Sequence, residues 1–326
     1  MFAWKKAAPA LAGACAFAAG ALALAQTYPA KPIRWIVPTA ASGAYDVAAR
    51  TLATPMAAAL GQPFLVDNRA AAAGIVGMEV IAKAPPDGYT VGTAGVSQLT
   101  MHPHIYPKLP YEVKRDFAPV GMMVSLPLAL WVTPSAHANS LQELLSYAKA
   151  NPGRLNYGSA GIGHSFHLAT ELLAERTGAA MTHVPYKGTA PALQDLIADR
   201  IQVMFYPPTP PMVAQIKEGR LRALATAADK RLPGLPDVPT FQEAGVPDFD
   251  VAGWASLVAP AGTPREVVHR LNQELTRAVL LPETAKVYEK MGFLQATSTP
   301  EELARKIDRE TRMWAGVIKR LGIKPE

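Results

Sequence analysis

Cysteine is almost absent from this chain of 326 residues. The single cysteine, Cys15, lies inside an apolar run at residues 7–24 that follows Lys5 and Lys6. The run ends in small residues up to Ala25, an arrangement typical of a secretory signal peptide. We therefore expect export with cleavage after Ala25. The mature chain would then contain no cysteine, which excludes disulfides, thiolate catalysis and cysteine-ligated zinc.

Two alternatives to cleavage concern the same N-terminal segment. A transmembrane anchor needs about 20 apolar residues, and the segment approaches that length but contains Pro9 and ends in a cleavage site. A lipoprotein would be cut before Cys15, but Ala12 stands where the lipobox requires leucine. No later part of the sequence is apolar over a spanning length.

Basic clusters with interleaved aromatic residues are also missing, so the sequence does not favour nucleic-acid binding. The chain has 32 Lys and Arg against 26 Asp and Glu, and loss of Lys5 and Lys6 would lower its formal charge from +6 to +4. Such a balance is typical of ordinary solubility or of weak attraction for anionic solutes. A hydrophobic share of 49% with 18% charged residues favours a globular chain, and the length suits about two domains.

Sequence templates for catalysis are missing around the glycines of residues 157–165. Ser159 has Tyr157 two positions before it, so it does not form the G-x-S-x-G nucleophile elbow. Gly158, Gly161 and Gly163 match neither the dinucleotide motif G-x-G-x-x-G nor the phosphate loop G-x-x-x-x-G-K-[ST]. We therefore expect a non-enzymatic protein that uses no cofactor.

The histidines give no strong metal signal. His164 and His167 are three residues apart and do not fit the H-E-x-x-H spacing of zinc-binding helices. His102 and His104 are expected to form a pair in a loop, and His183 a hydrogen-bonded interior residue on a strand. We expect no metal site, with His167 capping or packing beside the glycine-rich turn.

Strand-like apolar runs alternate with helix-like segments in two blocks of the sequence. This order predicts an α/β fold in which mainly parallel sheets are flanked by helices. A kink is expected in the first helix at Pro55. The first block predicts strands at residues 33–37, 64–66 and 90–94 with helices at 44–60 and 74–84; the second predicts strands at 128–133, 155–157, 181–184, 201–205 and 221–226 with helices between them.

The end of the chain predicts a return to the first block. A strand at residues 254–259 precedes two helices that start at Thr263 and Thr299, each with proline first and glutamate third, as in capping boxes. These helices need a sheet to cover, so we expect two hinge crossings between lobes, near residues 122–126 and 250–254. The expected division is a signal peptide at 1–25, lobe 1 at 26–124 plus 252–326, and lobe 2 at 125–251.

Four strand-to-helix turns are rich in small residues, at 39–46, 70–77, 158–165 and 187–191. Backbone N–H groups and the helix dipole make such turns anion sites, and small side chains let an anion approach the backbone. A few charge-assisted hydrogen bonds, each worth about 1.5–3 kcal/mol, suffice for micromolar binding. The turns therefore predict a cleft that binds a small carboxylate without arginine.

Motifs along nearly the whole chain match one known pattern. They include YPAKPIRWIVP at residues 28–38, LGQPFLVDNR at 60–69, YGSAGIG at 157–163, VPYKGTAPAL at 184–193, DVPTFQEAG at 237–245 and GWASLVAPAGTP at 253–264. Together they resemble the Bug family, the periplasmic solute-binding proteins of tripartite tricarboxylate transporters. The resemblance implies a two-lobed binding protein of type II-like fold, located in the periplasm, that closes on a carboxylate with ordered waters assisting. It also implies a membrane permease as partner, and we expect a monomeric mature protein.

The expected solute contacts come from turns that match the family by position and from rings near strand ends. Trp254 is expected either to wall the cleft or to fill the hinge. The full set is Thr39, Ala41, Ser42, Gly43, Tyr45 and Asp46 in lobe 1, Ser159, Gly161, Gly163, His164, Ser165, His167, Gly188, Thr189, Ala190 and Tyr206 in lobe 2, and Trp254.

The chain departs from the family pattern at its first two turns. ASGA at residues 41–44 stands where Pro-Gly-Gly or Gly-Gly is usual, and AAAAG at 70–74 replaces Pro-Gly-x-Gly-Gly. Rings at Tyr45 and Tyr206 favour an aromatic or bulky carboxylate.

Two other functions remain open from the sequence. One is a ligand-sensing subunit for a two-component sensor kinase, which binding alone does not distinguish from a transport protein. The other is a periplasmic hydrolase that uses Ser159 or Ser165 with His164 or His167.

Overall fold

A computed structural model describes residues 28–249 and 251–322. The expected signal peptide, residues 1–25, lies outside the described residues, as does Asp250 at the second expected crossing. Within the described ranges, none of the helices has the length and apolar character needed to cross a membrane.

The first part of the chain alternates strands and helices, as its apolar pattern predicts. The first helix continues past Pro55 to its expected end. A helical stretch after the third strand and a long fourth strand were not predicted. The elements are β1 (Ile33–Val37), α1 (Ala44–Leu60), β2 (Phe64–Asn68), a 3₁₀ turn (Ala72–Gly74), α2 (Ile75–Ala82), β3 (Thr90–Gly95), a π-helical segment (Ser97–Met101), α3 (His102–Ile105), α4 (Val113–Asp116) and β4 (Phe117–Leu126).

The remaining elements follow the predicted order with small shifts of their ends. They are β5 (Leu128–Val132), a 3₁₀ turn (Pro134–Ala136), α5 (Leu141–Ala150), β6 (Asn156–Ser159), α6 (Ser165–Thr177), β7 (Thr182–Pro185), α7 (Thr189–Ile197), β8 (Val203–Tyr206), α8 (Pro210–Lys217), β9 (Arg222–Ala227), β10 (Gly253–Pro260), α9 (Arg265–Val279), α10 (Pro282–Lys290), β11 (Leu294–Gln295) and α11 (Pro300–Leu321). Of these, the second 3₁₀ turn, α10 and β11 were not located from the sequence.

The strands form two sheets, which gives the α/β, two-lobed fold. The first sheet has the order β11-β4-β10-β3-β1-β2 and the second the order β7-β6-β8-β5-β9. Parallel pairing, which we expected to dominate, is confined to β1 with β2 and β3 and to β6 with β7 and β8. The other pairs are antiparallel. Both sheets are therefore mixed. The strands on either side of a crossing run from one sheet into the other without the helical connection that parallel neighbours need, so they pair antiparallel.

Helices cover both faces of the first sheet because side chains alternate along its strands. Ile33 and Trp35 of β1 pack in one cluster with Leu52 of α1 and Leu271 of α9. Ile36, on the opposite face of β1, belongs to a second cluster that includes residues of α2 and α11. This second cluster continues into the second sheet, so one core connects the two lobes.

The capping motifs at the starts of three helices differ in the hydrogen bonds that they form. Thr299 forms the complete capping box with Glu302 at the start of α11. Ser140 accepts a hydrogen bond from the Glu143 N–H at 3.2 Å, whereas the Glu143 carboxylate accepts from Asn139 N–H. The box expected at Thr263 is wrong, because the hydroxyl of Thr263 donates to the Pro260 carbonyl and α9 begins after Pro264.

Candidate functional site

A cleft of about 1260 Å³ lies between the two sheets. It is lined by the segments that follow the carboxyl ends of β1 and β3 in the first sheet and of β6, β7 and β8 in the second. Ligands of α/β proteins bind at this end of the strands, where helix N-termini point. Both sheets therefore contribute strand-to-helix turns to one site.

The turn after β1 is organised by Asp46. Its carboxylate accepts hydrogen bonds from the Ser42 N–H at 2.8 Å and from Asn68 Nδ2 at 2.9 Å, and it pairs with Arg50. Burial acts to raise the pKa of Asp46, but the hydrogen bonds from Arg50, Ser42 and Asn68 outweigh burial and leave that pKa below its ordinary value. Asp46 is buried and does not line the cleft, so it shapes the turn from behind.

Three residues with side chains hold left-handed backbone conformations beside the cleft. Ser42 has a φ of 65°, and Ala72 and Ala73 have φ of 49° and 53°. These positions fall in the two turns that depart from the glycine-rich family pattern. Ser42 and Ala73 line the cleft directly.

The turn after β6, residues 159–165, is called the glycine loop below. Gly161 and Gly163 line the cleft with φ of 126° and 76°. Their N–H groups are bonded within the protein, since Gly161 donates to Ser159 Oγ at 3.2 Å and Gly163 donates to His167 Nδ1 at 3.1 Å. The glycines thus let the chain fold tightly, while their amides hold the loop together.

His164 caps helix α6 at the edge of the cleft. Its Nδ1 accepts a hydrogen bond from the Phe166 N–H at 3.2 Å, and its ring meets the Phe166 ring at 4.4 Å. Burial, and after it the nearby His167, lower the pKa of His164 to about 4. His164 is therefore a neutral wall of the cleft at pH 7.

Helix N-termini from both sheets reach the cleft. Helices α1 and α7 begin after Gly43 and Gly188, and in the described structure neither helix has a side-chain cap. Gly43, Gly188 and the first-turn residues Tyr45 and Thr189 line the cleft. First-turn N–H groups and the helix dipole therefore give the cleft a positive potential.

Aromatic rings form much of the remaining wall. The Tyr206 ring meets the Phe166 ring edge-on at 5.8 Å. Tyr45 lies against Gly95, where an added Cβ would overlap the tyrosine hydroxyl, and its hydroxyl lies 3.4 Å from the Trp254 carbonyl. Other lining rings are Tyr106, Tyr186 and Phe293.

Two buried polar atoms at the cleft have no hydrogen-bond partner in the described part of the chain. They are Thr39 Oγ1 and His102 Nδ1, both on the first-sheet side. His102 is 6% exposed, and burial lowers its pKa to about 4. Buried polar atoms are almost always bonded, so these two are exceptions within the wall of the cleft, although neither atom is itself exposed to the cleft.

The structure places most of the expected contacts together. Trp254 fills the interior and donates from Nε1 to Glu310 at 2.7 Å, so only its backbone carbonyl approaches the site through Tyr45. The expected residues that line the cleft are Thr39, Ser42, Gly43, Tyr45, Gly161, Gly163, His164, Ser165, Gly188, Thr189 and Tyr206; those that do not are Ala41, Asp46, Ser159, His167, Ala190 and Trp254.

Several residues that line the cleft were not predicted from the sequence. His102 was expected in a loop, but it follows the π-helical segment and lies in the wall with Gln98. Met291 and Phe293 approach from the far end of the chain. No sequence pattern marks these residues. The π-helical segment before His102 is a structural sign, because π-helical turns often occur at functional sites.

Charge and metal chemistry are limited at this site. Lys187 is the one charged side chain among the lining residues that the structure describes. Across residues 28–249 and 251–322, no three His, Cys, Asp or Glu residues are grouped closely enough to hold a metal ion.

Comparison with protein families gives one match over most of the chain. Residues 48–323 match the model of the tripartite tricarboxylate transporter family receptor. A UPF0065 protein in the tcbD-tcbE intergenic region of Pseudomonas sp. strain P51 is 40% identical over 89% of this chain and 86% of its own. BugT of Bordetella pertussis is 37% identical over 92% of each chain.

Solved structures agree with this match. The R. palustris protein Rpa4515, solved with adipate, has 33% identity and a TM-score of 0.77 over 92% of this chain and all of its own. MatC of Rhodopseudomonas palustris, solved with bound malate, has 32% identity and a TM-score of 0.72 over 89% of this chain and all of its own. The periplasmic binding protein BugD has 32% identity and a TM-score of 0.72 over 91% of this chain and all of its own. This chain belongs to the tripartite tricarboxylate transporter receptor family, the Bug-type solute-binding proteins, whose members are periplasmic receptors and not enzymes.

Proposed function

We propose that this chain, exported and cleaved after Ala25, traps a carboxylate solute in the cleft and delivers it to a tripartite membrane transporter. The observation that carries the proposal is the meeting of helix N-termini from both sheets, at α1, α6 and α7, in one cleft. Closure of lobe 1 (26–124 and 252–326) on lobe 2 (125–251) would enclose the solute.

The available groups suffice for useful affinity although the Gly161 and Gly163 amides are bonded internally. Ser165 and Thr189, which carry hydroxyl groups, line the cleft at the first turns of α6 and α7. Each hydrogen bond to a charged group contributes about 1.5–3 kcal/mol, and a helix terminus adds about 0.3–1 kcal/mol. Four such bonds, less the costs of ordering, reach the roughly 8 kcal/mol of micromolar binding.

The comparisons support a carboxylate as the solute. Two relatives with more than 30% identity were solved with adipate and with malate. The rings of Tyr45, Phe166 and Tyr206 favour a bulky or aromatic carboxylate here. A thermal-shift panel of aliphatic and aromatic carboxylates tests this choice, and stabilisation by short aliphatic diacids alone would exclude it.

A charge placed at a cleft-lining helix start tests the site directly. Ser165→Asp puts a carboxylate at the N-terminus of α6, where an acidic residue favours the helix but repels an anionic solute. We expect at least a tenfold loss of affinity for adipate, or for whichever panel carboxylate binds best, by isothermal titration calorimetry.

The matched control is Ser140→Asp at the N-cap of α5. That position also accepts an acidic residue, and it lies outside the cleft. It should bind the same carboxylate with unchanged affinity. Unchanged binding by Ser165→Asp would show that the solute lies elsewhere.

Delivery to a permease needs a separate experiment, because binding does not distinguish transport from sensing. A strain that lacks the gene should lose uptake of the radiolabelled solute and regain it with the wild-type chain but not with Ser165→Asp. Normal uptake together with a lost transcriptional response would favour the sensing role.

A further inference from the structure

Three aromatic rings are stacked directly behind the glycine loop. They are Tyr157 of β6, His167 of α6 and His183 of β7, and together they are called the ring stack. The two imidazoles lie 4.0 Å apart at an angle of 8°, and Tyr157 lies 4.8 Å from His183 at 17°. Three different elements thus place these rings against one another beneath the loop.

The histidines of the ring stack are bonded to the glycine loop. His167 Nδ1 accepts the Gly163 N–H, so this nitrogen carries no proton and the imidazole is the Nε2–H tautomer. His183 Nε2 lies 2.7 Å from Ser159 Oγ, which also accepts the Gly161 N–H and donates to the Gly161 carbonyl. Because the single hydroxyl proton goes to Gly161, His183 is the donor to Ser159.

We propose that His167 and His183 are positioning residues, two neutral stacked imidazoles that hold the glycine loop in its cleft-lining conformation. The loop meets the solute under the function proposed above, so its relevance for binding rests on that proposal. Neither histidine lines the cleft, and both act through Gly161 and Gly163.

Protonation would release the loop. A second proton on His167 removes the acceptor for Gly163 and places a positive charge 4.0 Å from His183. Burial lowers the pKa of His167, against the opposing effect of Glu171. Burial, and after it His167, lower the pKa of His183 to about 4.

The other titratable groups beside the two histidines are Tyr157, which belongs to the ring stack, and Glu171 and His164. Tyr157 donates its hydroxyl proton to Glu171 at 2.5 Å, and His164 lies in the loop above with its own pKa lowered to about 4. Because the folded-state pKa of His167 lies below its ordinary value of 6.5, the ordered loop is fully populated above pH 6.5 and is lost as the pH falls through the lowered pKa of His167.

Two substitutions separate the hydrogen bond from mere packing. His167→Asn keeps an acceptor near the position of Nδ1 but does not titrate, whereas His167→Leu keeps apolar volume and removes the acceptor. Hydrogen exchange of peptides covering residues 159–165 in the solute-free protein, corrected for intrinsic rates, reports the order of the loop. Adipate affinity, measured in parallel, reports the proposed function separately.

Loop protection in the wild type should fall about tenfold between pH 7.5 and pH 5, the value of one net hydrogen bond. His167→Leu should lack that protection at both pH values, and His167→Asn should retain it at both. A flat wild-type profile, full protection in His167→Leu, or equal loss in both variants would overturn the inference. Ordered behaviour of the loop without any adipate binding would support the inference and count against adipate as the solute.

Discussion

Ala73 holds a left-handed backbone conformation with φ of 53° and ψ of 27° at the edge of the cleft. A β-carbon makes this conformation unfavourable, whereas glycine adopts it freely. The sequence indicated a turn through AAAAG at residues 70–74, but it did not reveal that Ala72 and Ala73 both adopt left-handed conformations. The glycines that follow, Gly74 and Gly77, pack against Pro38, which leaves no room for a β-carbon at either glycine.

Ala73→Gly should therefore stabilise the protein by about 1 kcal/mol, or about 2 °C in Tm. The matched control is Ala58→Gly on the exposed side of α1, where glycine should cost about 1 kcal/mol. Differential scanning calorimetry of both variants measures the difference. Equal destabilisation by the two changes would show that Ala73 is not strained.

Site residues were predictable where the backbone demands a residue type, and not where tertiary packing decides. Gly161, Gly163 and Gly188 were expected at the cleft because tight turns before helices need glycine. His102 was not expected there, because its place in the wall depends on the π-helical segment and on the packing of α11. Such contacts join residues that are distant in the sequence, so the local sequence around His102 does not predict them.

At the scale of elements, helix starts with identical sequence signals behave differently. Thr299 and Thr263 both precede proline and a third-position glutamate, yet only Thr299 forms the capping box. Thr263 does not cap its helix, because its buried hydroxyl instead donates to the Pro260 carbonyl at the end of β10.

Strand β4 was not predicted, because proline and glycine at positions 119 and 121 are more typical of a linker than of a strand. In the structure Pro119 and Gly121 pair with β10, and the register shifts between the two strands tolerate proline.

Thr299→Ala removes the hydroxyl that accepts the Glu302 N–H and should destabilise the protein by about 1 kcal/mol. Thr209→Ala is the matched control, because Thr209 also precedes a proline-initiated helix but makes no side-chain capping bond in the described structure. Urea denaturation should place the control within about 0.5 kcal/mol of wild type. Similar losses in both variants would contradict a specific role of the capping box.

At the scale of the whole molecule, the two-lobed plan followed from the repeated β-α pattern and the unpaired helices at the end of the chain. The chain passes between sheets at Pro127, between β4 and β5, and again before β10. What the sequence did not reveal is the contact between the lobes. α11 packs on β4 and also contacts α6, where Arg320 pairs with Glu175 at 2.7 Å.

A second contact between the lobes lies at the rim of the cleft. Gly292, with φ of 69°, lies between the lining residues Met291 and Phe293, and a β-carbon there would come within 2.7 Å of the Pro208 carbonyl. Pro208 follows β8 of the second sheet. The backbones of the two lobes meet at this point, and they can approach this closely because Gly292 has no side chain.

Gly292→Ala should push the lobes apart at this rim and weaken carboxylate binding by about tenfold, because the cleft walls no longer reach the solute together. Gly219→Ala is the matched control, with the same φ of 69° but with no described atom within 4 Å of its added β-carbon. Both variants should lose about 1 kcal/mol of stability from the strained backbone. Only Gly292→Ala should lose affinity by calorimetry and show a larger radius of gyration by small-angle X-ray scattering in the presence of solute. Equal affinity in the two variants would mean that the Gly292–Pro208 approach does not set the spacing of the lobes, and that closure is controlled at the crossings instead.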